Sequence, residues 1–330
     1  MPLALPVETE LLQYMSLSRV LTRRILEFSV QDGVLDVIDS MGHFTSREFL
    51  VTLERKLGYR LSEAPRQRMA TVLLDFLREV GIVEQGQGDA YRCLGAGSSI
   101  EELDVYSEAP LLTEERRVVE TIHRDQLEFF TLCIESAPGF LRGGGFTCSF
   151  SKEYSSVWDG FLGNHLFRSL RKILLRLMGV EDRPDYRMLD LCYGPGHGIR
   201  DILGWYPQIE LVATDFSSAY DKRVTSKTDS HARTALIDHN WRGFGYPLPY
   251  DSDSFNAVHF TFADPYIPSS LREGFYREVL RVIKAGGVLG TLGWEYPDRE
   301  GTIIADRWVR LQILAHDFAE STCEGWQGFN

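Results

Sequence analysis

A short apolar run that leads into a glycine-rich loop is the feature that most constrains the fold of this chain. Residues 187–193 have the character of a buried strand, and residues 194–198 read Gly-Pro-Gly-His-Gly before a predicted helix. Glycines at a strand-to-helix turn let the backbone approach a ligand closely, and the first N–H groups of the helix are free to bind it. The next predicted strand, residues 209–214, is followed by Asp215. An acid in that position can accept both hydroxyls of a ribose.

Three further segments follow in an order typical of a parallel α/β sheet. Residues 234–238 read as a third strand that ends in Asp238, an acid suited to an adenine amino group. Residues 246–258 resemble the phrase LPF-x-D-x-SFD-x-V, which opens a fourth strand, and residues 277–289 resemble RVLKPGG, a helix that leads into a fifth. The glycine loop and the first acid fit dinucleotides and S-adenosylmethionine alike, but a nicotinamide enzyme has no reason to carry the last two phrases.

With these four motifs, the C-terminal half of the chain resembles a class I S-adenosylmethionine-dependent methyltransferase domain. The resemblance implies an α/β fold with a Rossmann-like, mostly parallel sheet, and S-adenosylmethionine as the cofactor. It assigns cofactor binding to seven residues, namely Asp190, Gly194, Gly196, Asp215, Phe216, Asp238 and His239.

The first hundred or so residues predict helices and one β-hairpin. Thr45 and Glu48 have the spacing of a capping box, and Gly81 follows a predicted helix that ends at Val80. Helix, helix and hairpin form a winged-helix arrangement, which alone would suggest DNA binding. Residues 72–83 instead resemble the N-terminal dimerisation domain of bacterial and plant small-molecule O-methyltransferases. This resemblance implies a homodimer formed through the N-terminal domain.

The sequence therefore predicts three regions. Residues 1–105 form a helical/winged-helix dimerisation domain, and residues 106–180 form a helical linker with a bridging helix over the active site. Residues 181–330 form the Rossmann-like methyltransferase domain, which is short of the final antiparallel strands found in the family.

The catalytic base is the weakest part of the resemblance. Many O-methyltransferases of this architecture carry a His-Asp pair just beyond the fourth strand, but residues 261–266 contain no histidine. The nearest alternatives there are Asp264 and Tyr266, and His165 on the bridging helix is a third candidate. His259 lies inside the predicted strand, where a structural role is expected. Methyl transfer can also proceed by alignment alone if the acceptor is already nucleophilic.

Cys192 is a second departure, because it stands where the family has its first loop glycine. A side chain at this position points near the methionine arm of the cofactor, where it either crowds the site or lines it. A methyltransferase-fold protein that transfers no methyl group is therefore the alternative interpretation.

The net charge and the cysteine content narrow the classes of binding partner, metal site and cellular location that are expected. The formal net charge of −12 disfavours a nucleic-acid partner. The five cysteines include no CxxC pair, which predicts free thiols in a reducing compartment and no metal site. No apolar run approaches the roughly 20 residues that span a bilayer, and the N-terminus lacks the pattern of a signal peptide. We expect a cytoplasmic protein with no membrane partner.

These observations together predict an S-adenosylmethionine-dependent methyltransferase that acts on a small, apolar or aromatic metabolite, with a role in secondary metabolism. O-methylation is slightly favoured over C- or N-methylation. The aromatic residues expected around the cleft are Tyr154, Trp158, Phe161, Phe262, Tyr266 and Trp294.

Overall fold

The chain divides at Phe150 and again at Trp294. The computed structural model describes residues 7–95, 113–228, 235–297 and 304–329. A helical unit is formed by Met1–Ser149 together with Trp294–Asn330, and a sheet unit is formed by Phe150–Gly293. The predicted domain boundaries at 105 and 180 do not coincide with this division. Within the described ranges, none of the helices combines the length and apolar character needed to cross a membrane.

The helical unit contains most of the helices and a small sheet. Its elements up to residue 149 are α1 (Val7–Gln31), α2 (Val34–Met41), β1 (His43–Thr45), α3 (Ser46–Leu57), α4 (Ala64–Val80), β2 (Val83–Gln85), β3 (Ala90–Cys93), α5 (Thr113–Ile122) and α6 (Arg124–Leu141). The sheet unit contains α7 (Ser155–Leu162), α8 (His165–Leu177), β4 (Arg187–Leu191), α9 (His197–Trp205), β5 (Glu210–Thr214), α10 (Asp221–Thr228), β6 (Leu236–Asp238), β7 (Phe255–Thr261), α11 (Ser269–Val282) and β8 (Ile283–Leu292). The chain then returns to the helical unit with α12 (Arg307–Glu320).

The N-terminal helices and hairpin form where the sequence places them. The Thr45 hydroxyl accepts a hydrogen bond from the Glu48 N–H at 3.2 Å, and the Glu48 carboxylate accepts one from the Thr45 N–H at 2.8 Å. The predicted capping box is therefore present at the start of α3. Gly81 ends α4 with a φ of 92°, a left-handed conformation that favours glycine. The hairpin strands β2 and β3 pair antiparallel, and β1 adds to β3 as a third strand. The winged-helix and dimerisation assignments stay predictions.

Helix α12 belongs to the core of the helical unit. It packs against α1, α4 and α6, and its Phe318 ring lies 5.4 Å from that of Phe28. The segment after α12 then forms an isolated parallel bridge between Cys323 and Cys148. The end of the chain thus completes a core that begins with the first helix.

The sheet unit carries the predicted α/β fold. Its five strands are all parallel, in the order β6-β5-β4-β7-β8, which is a Rossmann-like arrangement. In the central strand β4, residues 188–191 are all buried, as expected for a strand covered on both faces. The strand order reverses beside β4, and a ligand crevice is expected there at the carboxyl ends of the strands. In the described residues after β8, no further strand joins this sheet.

Candidate functional site

The glycine loop joins β4 to α9 at the point of strand reversal. Gly194 and Gly196 have φ angles of 49° and 82°, and Gly196 is the residue that precedes α9. A Cβ on Gly196 would lie 2.9 Å from the Val224 side chain, so only glycine fits there without a shift. Cys192 also has a positive φ, 59°, although it is not glycine. The backbone therefore keeps the conformation of a glycine loop even where cysteine replaces the first glycine.

Asp215 holds this loop from the end of β5. Its Oδ2 accepts a hydrogen bond from the Gly194 N–H at 3.0 Å, and its Oδ1 accepts one from the Ser217 N–H at 3.0 Å. Burial raises the pKa of Asp215 to about 6, although the two N–H groups favour the charged form. Each carboxylate oxygen has a second lone pair, so both can accept another hydrogen bond from a ligand hydroxyl.

A cavity of about 40 Å³ lies beneath the loop. Its lining consists of Leu162, Arg171, Asp190, Cys192, Tyr193, Gly194, Pro195, His197, Gly198, Thr261 and Phe262. On that scale the cavity holds one or two small groups, such as water or an ammonium, rather than a nucleoside.

The buried Asp190 is one of the residues that line this cavity. Its Oδ1 lies 2.7 Å from Nδ1 of His259, which is also buried. Its Oδ2 accepts no hydrogen bond from the described residues, and a Cβ on Gly198 would lie only 2.6 Å from it. Because a buried carboxylate oxygen without a partner is costly, this atom is suited to a donor brought by a ligand. His259 orients Asp190 from within β7.

Polar and aromatic side chains flank Asp215 on the other side of the loop. The Phe216 ring, 44% exposed, lies edge-on to Trp241 at 5.8 Å. Asp238 ends β6, where its Oδ1 accepts a hydrogen bond from the Asn240 N–H at 2.8 Å.

Tyr193 and His239 converge on Asp221. The Tyr193 hydroxyl donates to Asp221 at 3.1 Å, and His239 Nε2 lies 3.1 Å from the same carboxylate. Burial and the charge of Asp221 raise the pKa of Tyr193 above its usual range, so Tyr193 remains a hydrogen-bond donor. His239 Nδ1 lies 3.3 Å from the Asp215 carbonyl oxygen. The sequence indicated His239 but not the Tyr193–Asp221 hydrogen bond that accompanies it.

The three candidate bases lie elsewhere in the sheet unit and do not line the cavity. Asp264, in the turn after β7, accepts a hydrogen bond from the Tyr276 hydroxyl at 2.6 Å. The Tyr266 ring packs against Phe150 at 4.7 Å. His165 is exposed at the start of α8. Their roles as bases stay predictions.

An ion-pair cluster on α7 was missed by the sequence analysis. Asp159 accepts from Lys227 at 2.6 Å and from Arg223 at 2.8 Å, and its carboxylate lies 2.9 Å from His197. Burial acts to raise the pKa of Asp159, but the hydrogen bonds from His197 and Lys227 bring it below its usual range. The cluster fixes His197, the first residue of α9, against α7. Arg223 and Lys227 are four residues apart on α10, but no local spacing relates them to Asp159 or His197, so only the fold reveals the cluster.

No protein-family model matches the chain, and neither does any curated protein. Solved structures do resemble it. The CurJ carbon methyltransferase aligns with a TM-score of 0.58 and 16% identity, over 98% of this chain and 84% of that one. An O-methyltransferase family protein from Burkholderia thailandensis has a TM-score of 0.45 and 16% identity, over 89% and 82%. The [4+2]-cyclase SpnF has a TM-score of 0.37 and 18% identity, over 46% and 57%. The likeness to CurJ, at 16% identity, shows the fold alone.

Proposed function

We propose that the chain is an S-adenosylmethionine-dependent methyltransferase that acts on a small, apolar or aromatic metabolite. The observation that carries the proposal is the position of Asp215, a buried carboxylate at the end of β5 that is hydrogen-bonded to the glycine loop. An oxygen nucleophile is expected before carbon or nitrogen, on the resemblance of residues 72–83 to O-methyltransferases.

The residues present fit the proposed cofactor. Asp215 has lone pairs left for two ribose hydroxyls, and the exposed Phe216 ring can cover an adenine. Asp238 and His239 lie at the neighbouring strand end. The unpartnered Oδ2 of Asp190 suits the amino group of the methionine part, which is a cation. A Cβ added to Gly194 would meet no atom within 4 Å, so the space beside this glycine is open.

When bound, S-adenosylmethionine supplies an activated methyl group on a positively charged sulfur. The chain's own contribution is to position the cofactor and the acceptor and to exclude water from them. Asp215 and the glycine loop fix the nucleoside, and Asp190 fixes the amino end. Alignment of an acceptor with the methyl group lowers the barrier without a base if the acceptor is already nucleophilic. Asp264, Tyr266 and His165 remain proposed bases for an acceptor that must lose a proton.

The decisive experiment is calorimetric titration with S-adenosylmethionine and S-adenosylhomocysteine. We expect the wild-type chain to bind both, and Asp215→Ala to weaken both by at least about tenfold because two charge-assisted hydrogen bonds are lost. Asp251→Ala is the matched control, since Asp251 is exposed and should leave binding unchanged. Failure of the wild-type chain to bind either ligand would remove the enzyme proposal.

Cys192 supports a second candidate, a cofactor-binding protein without methyl transfer. Its side chain lines the cavity from a position that favours glycine. Sustained release of S-adenosylhomocysteine in the presence of some acceptor would exclude this candidate. Binding without turnover across a broad panel of phenolic, amine and activated-carbon acceptors would support it.

The contributions of the three candidate bases to catalysis can be distinguished once an acceptor is known. Asp264→Asn, Tyr266→Phe and His165→Gln would be compared for kcat and for S-adenosylhomocysteine affinity. A base variant should lower kcat and alter its pH profile with cofactor affinity unchanged. If all three variants keep the wild-type kcat, alignment alone accounts for the reaction.

We also propose that the protein is a cytoplasmic homodimer formed through residues 1–105. The test is the molar mass of the full chain in solution by light scattering. A monomer at all concentrations would refute the dimer.

A further inference from the structure

Three cysteines that are distant in the sequence meet inside the helical unit. Cys133 lies on α6, Cys148 lies in the segment after α6, and Cys323 follows α12. Their sulfur atoms all lie within 4.8 Å of one another. The side chains are 0%, 1% and 1% exposed, respectively, so no bulk solvent separates them.

The backbone fixes two members of this cluster directly. Cys148 and Cys323 are partners in a parallel bridge, in which the Glu324 N–H donates to the Cys148 carbonyl at 2.9 Å. The Thr147 N–H donates to the Thr322 carbonyl at 2.8 Å. The two chain segments are therefore held together on both sides of the sulfurs. Cys133 approaches from a regular helix, so all three positions are preorganised.

A buried cysteine is ordinarily a small apolar side chain that packs against carbon. Here each sulfur instead has two other sulfurs as neighbours. The three sulfurs are thus already gathered in the positions that ligands of one metal ion would take.

We propose that Cys133, Cys148 and Cys323 bind a thiophilic closed-shell metal ion, Cu⁺ or Zn²⁺, through three sulfur ligands. Thiolates select these soft and borderline ions over Mg²⁺ or Ca²⁺. On binding, each metal–sulfur bond replaces an S–H bond, and the protons leave to solvent with no change of oxidation state. The ion would tie α6 to the segment that follows α12, and so would link the two stretches of chain that build the helical unit.

The number of ligands favours Cu⁺. Structural Zn²⁺ is almost always four-coordinate, whereas the described His, Cys, Asp and Glu residues provide only these three ligand atoms at the cluster. A Zn²⁺ ion would need a fourth ligand from water or a small thiol. Three sulfur ligands can complete a Cu⁺ site without one.

The test uses the full chain, reduced and freed of metal with a chelator. Cu⁺ and Zn²⁺ are added separately, both to the folded protein and during refolding from urea, since a buried site can load before the core closes. We expect one ion per chain, release of protons and a higher melting temperature. X-ray absorption should find sulfur as the only neighbour of Cu⁺, whereas a bound Zn²⁺ should show sulfur with one lighter atom.

Variants locate the ion. Cys148→Ser and Cys133→Ser should each weaken binding by at least about 100-fold, since even the loss of an outer-shell partner costs 10- to 100-fold. Cys93→Ser is the matched control, because Cys93 belongs to the same unit but hydrogen-bonds to Asp39 at 3.0 Å, outside the cluster. The Cys93→Ser variant should bind the metal ion as tightly as the wild type does.

The proposal is overturned if the wild-type chain binds neither ion under either protocol, or if Cys93→Ser weakens binding as much as Cys148→Ser. A disulfide between two cluster cysteines in protein kept under reducing conditions would also overturn it. If a cluster variant fails to fold, the sulfur neighbours seen by X-ray absorption in the wild-type protein decide the question. None of these measurements involves S-adenosylmethionine, so the result is independent of the proposed function.

Discussion

Asp215 occupies a position where protonation and ligand binding compete. Burial raises the pKa of its carboxyl to about 6, so the free protein carries the charged form above that pH and the neutral form below it. The charged form can accept from two ribose hydroxyls, whereas the neutral form loses part of that capacity. Cofactor binding should therefore be strongest above pH 6 and should weaken as the pH falls.

Calorimetry of S-adenosylhomocysteine between pH 5 and pH 8 tests this expectation on either side of the raised pKa of Asp215, about 6. The dissociation constant should be flat above the pKa and should rise by up to about tenfold for each pH unit below it. Asp215→Asn should bind weakly and without this dependence. An equally steep dependence in the Asn variant would assign the titration to another group.

Cys192 can be tested through its backbone. Its φ of 59° lies in the left-handed region, where a side chain costs about 1–2 kcal/mol. In Cys192→Gly, relief of this strain opposes the greater freedom of glycine in the unfolded chain and the loss of the partly buried thiol. We expect a free energy of unfolding within about 1 kcal/mol of the wild type.

Cys192→Val is the contrasting change, because a β-branched side chain is least compatible with that φ. It should lower the free energy of unfolding by about 2 kcal/mol or more. Urea unfolding of both variants provides the measurement. Equal stability of the two variants would mean that the loop does not hold the left-handed conformation.

At the scale of elements, local sequence patterns were sufficient to predict a helix or strand when the residues that indicate it lie within that element. Alternation of strand and helix after Tyr186 predicted β4 to β8, and Thr45 with Glu48 predicted the cap of α3. The arrangement of Asp190 with His259 was not predictable, because it depends on the register of two strands far apart in sequence.

The sulfur cluster shows the same limit more clearly. The absence of a CxxC pair predicted no metal site, whereas three widely spaced cysteines converge once α6 and the segment after α12 pack together. Spacing rules detect ligands on one local loop and are blind to ligands gathered by tertiary structure.

Helix α12 carries a buried charge whose removal should be severe. Asp317 is fully buried and forms an ion pair with Arg68 on α4. It also accepts from the Trp326 indole N–H at 2.9 Å and from the Phe329 N–H at 3.3 Å. Asp317→Ala leaves these donors without a partner, so it should destabilise the protein by about 3–5 kcal/mol.

Glu273→Ala provides the matched control on α11. Glu273 pairs with Arg277 at 2.5 Å, but the two side chains are 79% and 77% exposed. Its removal should change the free energy of unfolding by less than about 0.5 kcal/mol. Urea denaturation of both variants provides the measurement. Similar losses of unfolding free energy in the two variants would show that Asp317 is more accessible to solvent than its burial indicates.

At the scale of the whole molecule, the chain leaves the helical unit after Ser149 and returns to it at Trp294. The sheet unit is one continuous segment, Phe150–Gly293, whereas the helical unit takes its last helix from beyond it. The predicted boundary at 180 separated α7 and α8 from the sheet, and the predicted C-terminal domain included α12. An amphipathic helix joins the core that covers its apolar face, regardless of its place in the sequence, so the predicted boundaries stay predictions.

The sheet unit should therefore fold alone and the N-terminal segment should not. The sheet unit buries its own core, which includes Leu189, Val212 and Phe260. A fragment of residues 150–293 should unfold cooperatively and retain affinity for S-adenosylhomocysteine.

A fragment of residues 1–149 lacks α12, whose Leu311 and Phe318 are fully buried in the helical unit, and should show little cooperative unfolding. Addition of a peptide covering residues 294–330 should restore a cooperative transition. A fully cooperative transition in the 1–149 fragment alone would show that α12 is dispensable for this core.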